Sequence, residues 1–307
     1  MSNVHTKRTM SRAERINSRK KIMYLLLFVS PAFLFYITFL LIPIIGAGYY
    51  SLTDWSPVRQ AHNFVGFANY VEAFTRDPAF MNSLRLTLRY TLFVFVLQNS
   101  IALGLALLIE TTRRTKSFFR TVFFLPNMLS LVISALMFRF IFTNVFREVS
   151  TLPFLGFLDQ SWLGDPSMSF YAILSVALWN GVGYMMIIYL AALQGVPASL
   201  TEAAMIDGAN GVQRFFKVTL PMIMHAVTIC SFLTLVRAFQ VFDVVFRMTG
   251  GGPGRSTQVI ALNIYEEAFA QNFRYGYANA KAMILFGIIL LITLIQTGIM
   301  KRREIRS

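Results

Sequence analysis

Six long apolar runs most strongly limit what this chain can fold into. The runs fall at about 23–45, 90–109, 119–138, 168–193, 221–244 and 282–300. Each is close to the roughly 20 residues that a helix needs to cross the hydrocarbon core of a bilayer. The first run has 23 residues and no charge, which exceeds the ~7–15 residues of a signal-peptide core, so we predict a retained helix. The sequence therefore predicts an all-α polytopic membrane protein with six transmembrane helices.

Composition supports a membrane protein and argues against a soluble domain and against a nucleic-acid-binding protein. Only 14% of the residues are charged, against about 25% in soluble domains. The net charge of +14 does not indicate a nucleic-acid partner, because the basic residues are divided among the gaps between apolar runs and form no single face. Cys230 is the one cysteine and the three histidines are scattered, so we expect neither a disulfide framework nor a metal site.

The distribution of Lys and Arg predicts the orientation of the helices in the membrane. If the N-terminus is cytosolic, the segments on that side carry 17 basic residues and the segments on the other side carry 10. Cytosolic loops are the ones enriched in Lys and Arg. We therefore expect a basic cytosolic tail at 1–22, a transmembrane domain at 23–300 and a basic cytosolic tail at 301–307. The polar break at about 194–221 is then also cytosolic.

This polar break has the pattern of two short helices. Ser199 stands three residues before Glu202, the spacing of a capping box, and Gly208 can take the left-handed conformation that ends a helix. The spacing predicts one helix over 200–207 and a second over 211–218. The second would place three apolar residues, Val212, Phe215 and Phe216, on one face.

Small residues and carboxylates on the first of these helices suggest a docking element. Ala203 and Ala204 leave one side of the helix nearly bare, so another surface can approach closely. The local chemistry alone leaves open an ordinary cytosolic helical hairpin, with Glu202 as a simple cap.

The whole pattern is more specific than its parts. Glu202-Ala203-Ala204, then Gly208, then Leu220-Pro221 before an apolar run, resembles the cytoplasmic signature of permease subunits of binding-protein-dependent ABC importers. The resemblance implies the MetI-like ABC permease fold and a coupling helix, in the loop at about 194–221, that inserts into a cleft on the ATP-hydrolysing subunit. The residues it assigns to ATPase coupling are Glu202, Ala203, Ala204, Asp207, Gly208, Leu220 and Pro221.

A glycine-rich stretch between the fifth and sixth runs adds to the resemblance. Gly250-Gly251-Gly252-Pro253 lacks the Gly-Lys-Ser/Thr ending of a phosphate-binding loop, and the predicted orientation places it outside. An external turn is the better interpretation. It is similar to the Gly-Gly-Gly-Pro turn of sugar-type permeases in the maltose and glycerol-phosphate branch.

Polar residues inside the apolar runs indicate a solute pathway. Arg237, Gln240 and Asp243 lie within the fifth run, where polar groups are costly and usually face the bundle interior; the pattern predicts that Arg237, Gln240 or Val241, and Val244 share one helix face. The family resemblance further implies solute contacts from the third, fourth and fifth helices. The complete candidate set is Asn127, Leu131, Asn180, Gly181, Tyr184, Thr234, Arg237, Ala238, Gln240, Val241 and Asp243.

Two other roles stay open for these polar residues. Asn180 could tie neighbouring helices together, as Asn does in other membrane bundles. Arg237 and Asp243 could instead pair with partners near the outer interface.

The resemblance also implies partners and a location. It implies a second permease subunit, two ABC ATPase subunits that hold ATP and Mg, an extracytoplasmic solute-binding protein and a carbohydrate solute, in the bacterial cytoplasmic membrane. No nucleotide-binding or catalytic constellation occurs in the chain, so we expect no enzymatic activity and no bound cofactor. An ion-coupled secondary transporter is the alternative, and a polytopic membrane enzyme ranks below it.

Overall fold

The computed structural model describes residues 12–58, 62–112, 114–270 and 272–302. Residues 1–11 of the predicted basic tail at 1–22, and residues 303–307 of the predicted tail at 301–307, lie outside these ranges. The α-helices of the described part are α1 (Arg12–Tyr36), α2 (Ile42–Tyr50), α3 (Ala68–Thr75), α4 (Pro78–Thr111), α5 (Lys116–Met128), α6 (Leu131–Phe140), α7 (Phe146–Val149), α8 (Pro166–Gln194), α9 (Ala198–Ile206), α10 (Gly211–Arg214), α11 (Leu220–Met222), α12 (Met224–Phe239), α13 (Asp243–Met248), α14 (Ile260–Tyr265) and α15 (Tyr275–Lys301).

Helical turns of other kinds connect several of these elements. π-helical turns at Ile37–Leu41, Ile141–Val145, Phe215–Thr219 and Glu266–Ala270 continue the helices on either side. Within the described ranges the only strand-like pairing is an isolated antiparallel bridge between Thr53 and Phe64. The all-helical class predicted from the sequence is therefore confirmed.

Among the described residues, four helices are long and apolar enough to cross a membrane unaided. They span Met23–Tyr50, Pro78–Thr111, Pro166–Gln194 and Tyr275–Lys301. Two more candidates are bent pairs, Lys116–Met128 with Leu131–Val149 at 93° and Gly211–Met222 with Met224–Phe239 at 74°. The number of spans is thus between four and six, and six if each bent pair crosses once.

The predicted boundaries of the second, fifth and sixth spans are wrong. α4 begins at Pro78 and so contains Arg85 and Arg89, which the sequence placed before the helix. α12 ends at Phe239, so Gln240, Val241 and Val244 do not continue one helical face with Arg237. α15 begins at Tyr275 and includes Lys281. α4 and α15 are longer than predicted because helices that protrude beyond the hydrocarbon core carry polar residues at their ends, and a hydropathy pattern misses those turns. The fifth run is instead divided among α11, α12 and α13.

Helix α8 is the central element and divides the core in two. Its first half packs in a cluster with Tyr90 and Val94 of α4 and with Val244 of α13. Its second half, from Val182 to Leu193, packs in a separate cluster with α4 and α12. The polar middle of α8 lies between the two clusters, which is where a cavity forms.

Candidate functional site

A cavity of about 440 Å³ lies beside the middle of α8, between α4, the α5–α6 break and the end of α12. Nine of the eleven residues predicted for a solute pathway line it. These nine are Asn127, Leu131, Asn180, Gly181, Arg237, Ala238, Gln240, Val241 and Asp243. Residues from three separate apolar runs thus meet at one site.

Two helix breaks shape the wall of this cavity. α5 ends at Met128 and α6 begins at Leu131 after a 93° bend. On the other side, α12 ends at Phe239 and α13 begins at Asp243. Non-helical backbone at membrane depth is tolerated where protein or a water-filled cavity satisfies its polar groups. Both breaks meet that condition because both line the cavity.

Asn180 joins α8 to the end of α5. Its Nδ2 donates to the backbone carbonyl of Pro126 at 2.9 Å, and Asn127 Nδ2 donates to the carbonyl of Asn180 at 3.4 Å. Asn180 therefore links α8 to α5, which is one of the roles that the sequence left open for it. The same side chain also lines the cavity.

Arg237 and Asp243 do not form an ion pair with each other or with any other described residue. The Arg237 guanidinium lies 4.8 Å from the ring centre of Tyr184, and both charged side chains are exposed within the chain. The pairing near an interface that the sequence left open is not seen among the described residues. Two unpaired charges and the exposed amide of Gln240 therefore face the open side of the cavity.

Tyr184 and Thr234 are the two candidates that do not line the cavity. Tyr184 stacks against Arg237 from the neighbouring turn of α8. Thr234 is 1% exposed, and its hydroxyl accepts a hydrogen bond from Asn99 Nδ2 at 3.3 Å. Both stand behind the cavity wall and support it.

Gln98 belongs to the cavity and was not among the predicted residues. Its Nε2 donates to the carbonyl of Gly181 at 3.2 Å, and a Cβ built at Gly181 would lie 2.8 Å from that nitrogen. The glycine therefore makes room for the amide. A sequence signal was available, because Gln98-Asn99-Ser100 is a polar group inside the second apolar run.

The segment with the Glu-Ala-Ala pattern lies at one end of the bundle, which we call the coupling end. α9 covers Ala198–Ile206, and Gly208 has φ +79°, so its predicted left-handed conformation is confirmed. Glu202, Ala203 and Asp207 are exposed. These three residues are therefore open to a partner.

The predicted capping box at Ser199 and Glu202 is wrong. α9 begins at Ala198 after Pro197 and has no side-chain cap, because the helix starts two residues earlier than predicted and Ser199 is already helical. The capping box is formed instead at the start of α10. Asn210 Oδ1 accepts from the Gln213 backbone at 2.8 Å, and Gln213 Oε1 accepts from the Asn210 backbone at 3.0 Å.

Apolar side chains are unusually exposed on the coupling segment. Ile206 is 86%, Val212 67% and Phe216 60% exposed. Leu220 and Pro221 differ, since both are half-buried and Leu220 packs on the core cluster that contains Cys230. Leu220 and Pro221 therefore form the joint between the exposed segment and the bundle.

A buried ion cluster at the opposite end of the bundle was not predicted. Lys281 is 0% exposed, and its Nζ lies 2.8 Å from Asp77 Oδ2 and 2.8 Å from Glu267 Oε2. Arg274 makes a bidentate pair with Glu72 at 2.8 and 2.7 Å. The cluster fastens α3 and the start of α4 to the start of α15.

Two carboxylates of this cluster, Glu72 and Asp77, have lowered pKa values. The hydrogen bond from Arg274 lowers the pKa of Glu72. Burial acts to raise the pKa of Asp77, but hydrogen bonds from Lys281 and the Phe80 backbone outweigh it, so the net pKa is also lowered. Both groups stay ionised at neutral pH.

We expect Lys281→Met to destabilise the protein strongly. The change leaves Asp77 and Glu267 without their shared cation, and breaking a buried pair costs roughly 3–5 kcal/mol. The thermal midpoint of the purified protein in detergent measures the effect. Lys217→Met, at an exposed lysine, is the matched control and should be nearly neutral; equal midpoints for the two variants would contradict a structural role for the cluster.

Comparison with known proteins identifies the family. Residues 98–305 match the model of the binding-protein-dependent transport system inner membrane component. The chain is 38% identical over 280 residues to the probable starch degradation products transport system permease protein AmyD of Thermoanaerobacterium thermosulfurigenes, covering 91% of this chain and 94% of that protein. It is 35% identical over 269 residues to the multiple sugar-binding transport system permease protein MsmF of Streptococcus mutans, covering 88% and 92%.

The fold agrees with this family. A chain of the bacterial ABC transporter involved in the import of the acidic polysaccharide alginate superposes with a TM-score of 0.79 at 23% identity, covering 95% of this chain and 99% of that one. The MetI-like permease fold inferred from the sequence is therefore confirmed. The chain belongs to the family of inner-membrane permease components of binding-protein-dependent ABC importers.

Proposed function

We propose that this chain is one transmembrane subunit of an ATP-driven importer for a sugar or oligosaccharide. The relatives named for transport of starch degradation products and of multiple sugars support this solute class, since they align over nearly their whole length. The solute site would be the cavity beside α8. Its amides can bond sugar hydroxyls, and its aromatic neighbours suit the apolar face of a pyranose.

One structural observation carries the mechanism. α10, the π-helical turn at Phe215–Thr219 and α11 lead directly into α12, which ends at the cavity with Arg237 and Ala238. Ile223, between α11 and α12, is fully buried, so a displacement of the coupling segment would be passed to α12. Closure of the ATPase subunits on ATP binding would then move one cavity wall and open the pathway to one side at a time.

The open side of the cavity and the two ends of the bundle suggest where each proposed partner would bind. A second, distinct permease subunit would complete the cavity on the side where Arg237, Gln240 and Asp243 are exposed. Two ATPase subunits, which would hold ATP and Mg, would contact the coupling end on the cytosolic side, with both termini also cytosolic. An extracytoplasmic binding protein would deliver solute to the opposite face. A relative of the same fold is known in complex with an alginate pentasaccharide-bound periplasmic protein.

Affinity purification of the tagged chain from mild detergent tests this assembly. We expect a second permease and an ATPase with nucleotide-binding motifs to co-elute, identified by mass spectrometry. A panel of oligosaccharides with the binding protein should then stimulate ATP hydrolysis. A lone chain that transports solute on an ion gradient, indifferent to ATP, would support the secondary-transporter alternative instead.

We expect Gln240→Leu to reduce solute-stimulated ATP hydrolysis at limiting solute by about tenfold. The Gln240 side chain is exposed in the cavity and has no hydrogen-bond partner among the described residues. Removing it therefore leaves the fold intact, and tenfold corresponds to about 1.4 kcal/mol of lost hydrogen bonding to solute. Gln160→Leu, at an exposed position outside the cavity, is the control. An unchanged half-saturating solute concentration for Gln240→Leu would argue against this cavity as the solute site.

A further inference from the structure

A second cavity, separate from the proposed pathway, is lined by three arginines. It has a volume of about 560 Å³ and lies between α4 and the loop that follows α13. Arg85 and Arg89 come from α4, and Arg255 comes from the loop. No carboxylate of the described residues lies within ion-pairing distance of any of the three, and all three are exposed. The cavity therefore holds three guanidinium groups without an ion-pair partner, of which Arg255 also lines the neighbouring pocket that contains Glu72, Glu266 and Glu267.

Two more features of this cavity suit an oxyanion. Asn82 and Ser256 also line it, and the Ser256 Oγ is buried without a hydrogen-bond partner in the described part of the chain. The Arg89 guanidinium lies 4.5 Å from the ring centre of Phe170, which restrains it. Guanidinium groups match the geometry of phosphate oxygens and bind them through paired hydrogen bonds.

The cavity lies toward the end of the bundle at which α4 and α8 begin. Phe170 lies about ten residues from the middle of α8 (Pro166–Gln194), or about 15 Å along the helix. That distance is half the roughly 30 Å thickness of the core. With the middle of α8 at the membrane centre, Arg89, which contacts Phe170, would lie at the edge of the hydrocarbon core, and Arg85, one turn of α4 farther out, would lie at the level of the headgroups.

An exposed apolar ridge runs from the arginines toward the membrane centre. Leu88, Leu92 and Val96 are 41%, 61% and 49% exposed and follow each other at four-residue spacing, so they form one ridge on α4. A soluble anion bound at the arginines would not contact this apolar ridge. An acyl chain attached to a phosphate would cover it.

We propose that this cavity binds the phosphate headgroup of an anionic phospholipid, with an acyl chain along the Leu88–Leu92–Val96 ridge. If the membrane orientation given under the proposed function holds, this lipid lies in the outer leaflet. The lipid would hold the loop that contains Arg255 against α4. Lipid binding does not depend on transport, so this proposal can fail while the proposed function holds.

Native mass spectrometry of the intact, purified transporter complex tests the proposal. Complexes in detergent are titrated with phosphatidylglycerol or with phosphatidylcholine of the same chain length. We expect tighter binding of phosphatidylglycerol to the wild type, and a loss of about tenfold or more in the Arg85→Gln/Arg255→Gln double variant. Arg147→Gln, at an exposed arginine of the same end of the bundle, is the control for charge and should bind as the wild type does.

Further ligands distinguish a lipid from other anions. Inorganic phosphate and an acidic monosaccharide are tested as competitors, and both should displace the lipid weakly or not at all. The proposal would be overturned if either competitor displaced the lipid as strongly as phosphatidylglycerol does. It would also be overturned if the wild type and the double variant bound the two lipids equally. We expect the double variant and Arg147→Gln to have the same thermal midpoint in lipid-free detergent. Equal midpoints would show that a loss of lipid binding is not caused by a loss of folding.

Discussion

Gly208→Val is expected to reduce solute-stimulated ATP hydrolysis by about tenfold or more while the complex still assembles. Gly208 has φ +79°, and left-handed backbone costs a residue with a side chain roughly 1–2 kcal/mol, with β-branched residues the least tolerant. That energy changes the population of the native turn by a factor of roughly 5–30. The turn fixes α9 relative to α10, so the proposed coupling surface would lose its shape.

Gly211→Ala is the matched control for this change. Gly211 lies three residues along the same segment, does not have positive φ, and a Cβ there would meet nothing within 4 Å. The variant should behave like the wild type. A Cβ at Gly208 would also meet nothing within 4 Å, so the first side-chain atom fits at both positions and the two glycines differ in backbone conformation. Full activity of Gly208→Val would show that the turn does not transmit the signal.

Gly183→Ala is expected to destabilise the bundle itself. A Cβ at Gly183 would lie 1.9 Å from the carbonyl oxygen and 2.7 Å from the carbonyl carbon of Phe123. Both atoms belong to the backbone of α5, so no side-chain rotation relieves the overlap and α5 must move away from α8. Overpacking of this kind costs about 1–3 kcal/mol, and the displacement would also pull Pro126 away from Asn180.

The thermal midpoint of the purified protein and the yield of assembled complex measure this effect. We expect a fall of several degrees for Gly183→Ala, since 1 kcal/mol shifts the midpoint of a large domain by roughly 2–4 °C. Gly104→Ala on α4 is the control, because a Cβ there would meet nothing within 4 Å, and alanine favours helix over glycine. Equal stability of both variants would contradict the close approach of α5 and α8.

The sequence was sufficient to predict the membrane class because long apolar runs have few other outcomes. It also placed Gly208 correctly, since a left-handed turn selects glycine. The helix breaks at the cavity were harder to predict. Pro126 suggests an interruption, but α5 continues through it to Met128, and Gln240-Val241-Phe242 contains neither proline nor glycine although α12 ends there. Tertiary packing decides these ends.

The ion cluster could not be predicted for a different reason. The Tyr277 hydroxyl donates to Asp77 across 200 residues of sequence. Lys281 directly precedes the sixth apolar run, so the sequence pattern predicts a loop charge there.

The nine pathway candidates that line the cavity came largely from the family resemblance and from the cost of polar groups in a membrane. The three arginines of the second cavity were scattered in the sequence, and only the fold brings them together.

The proposed function requires that the exposed segment around Ala203 contacts an ATPase subunit. A photo-crosslinking amino acid at Ala203, which is exposed, tests it directly in native membranes, with Phe154 (97% exposed) as the control site at the opposite end. We expect Ala203 to crosslink to a protein with nucleotide-binding motifs and Phe154 not to do so. If Phe154 crosslinks to that protein, or if Ala203 fails to crosslink in membranes where the complex is intact, the coupling segment is not the ATPase contact.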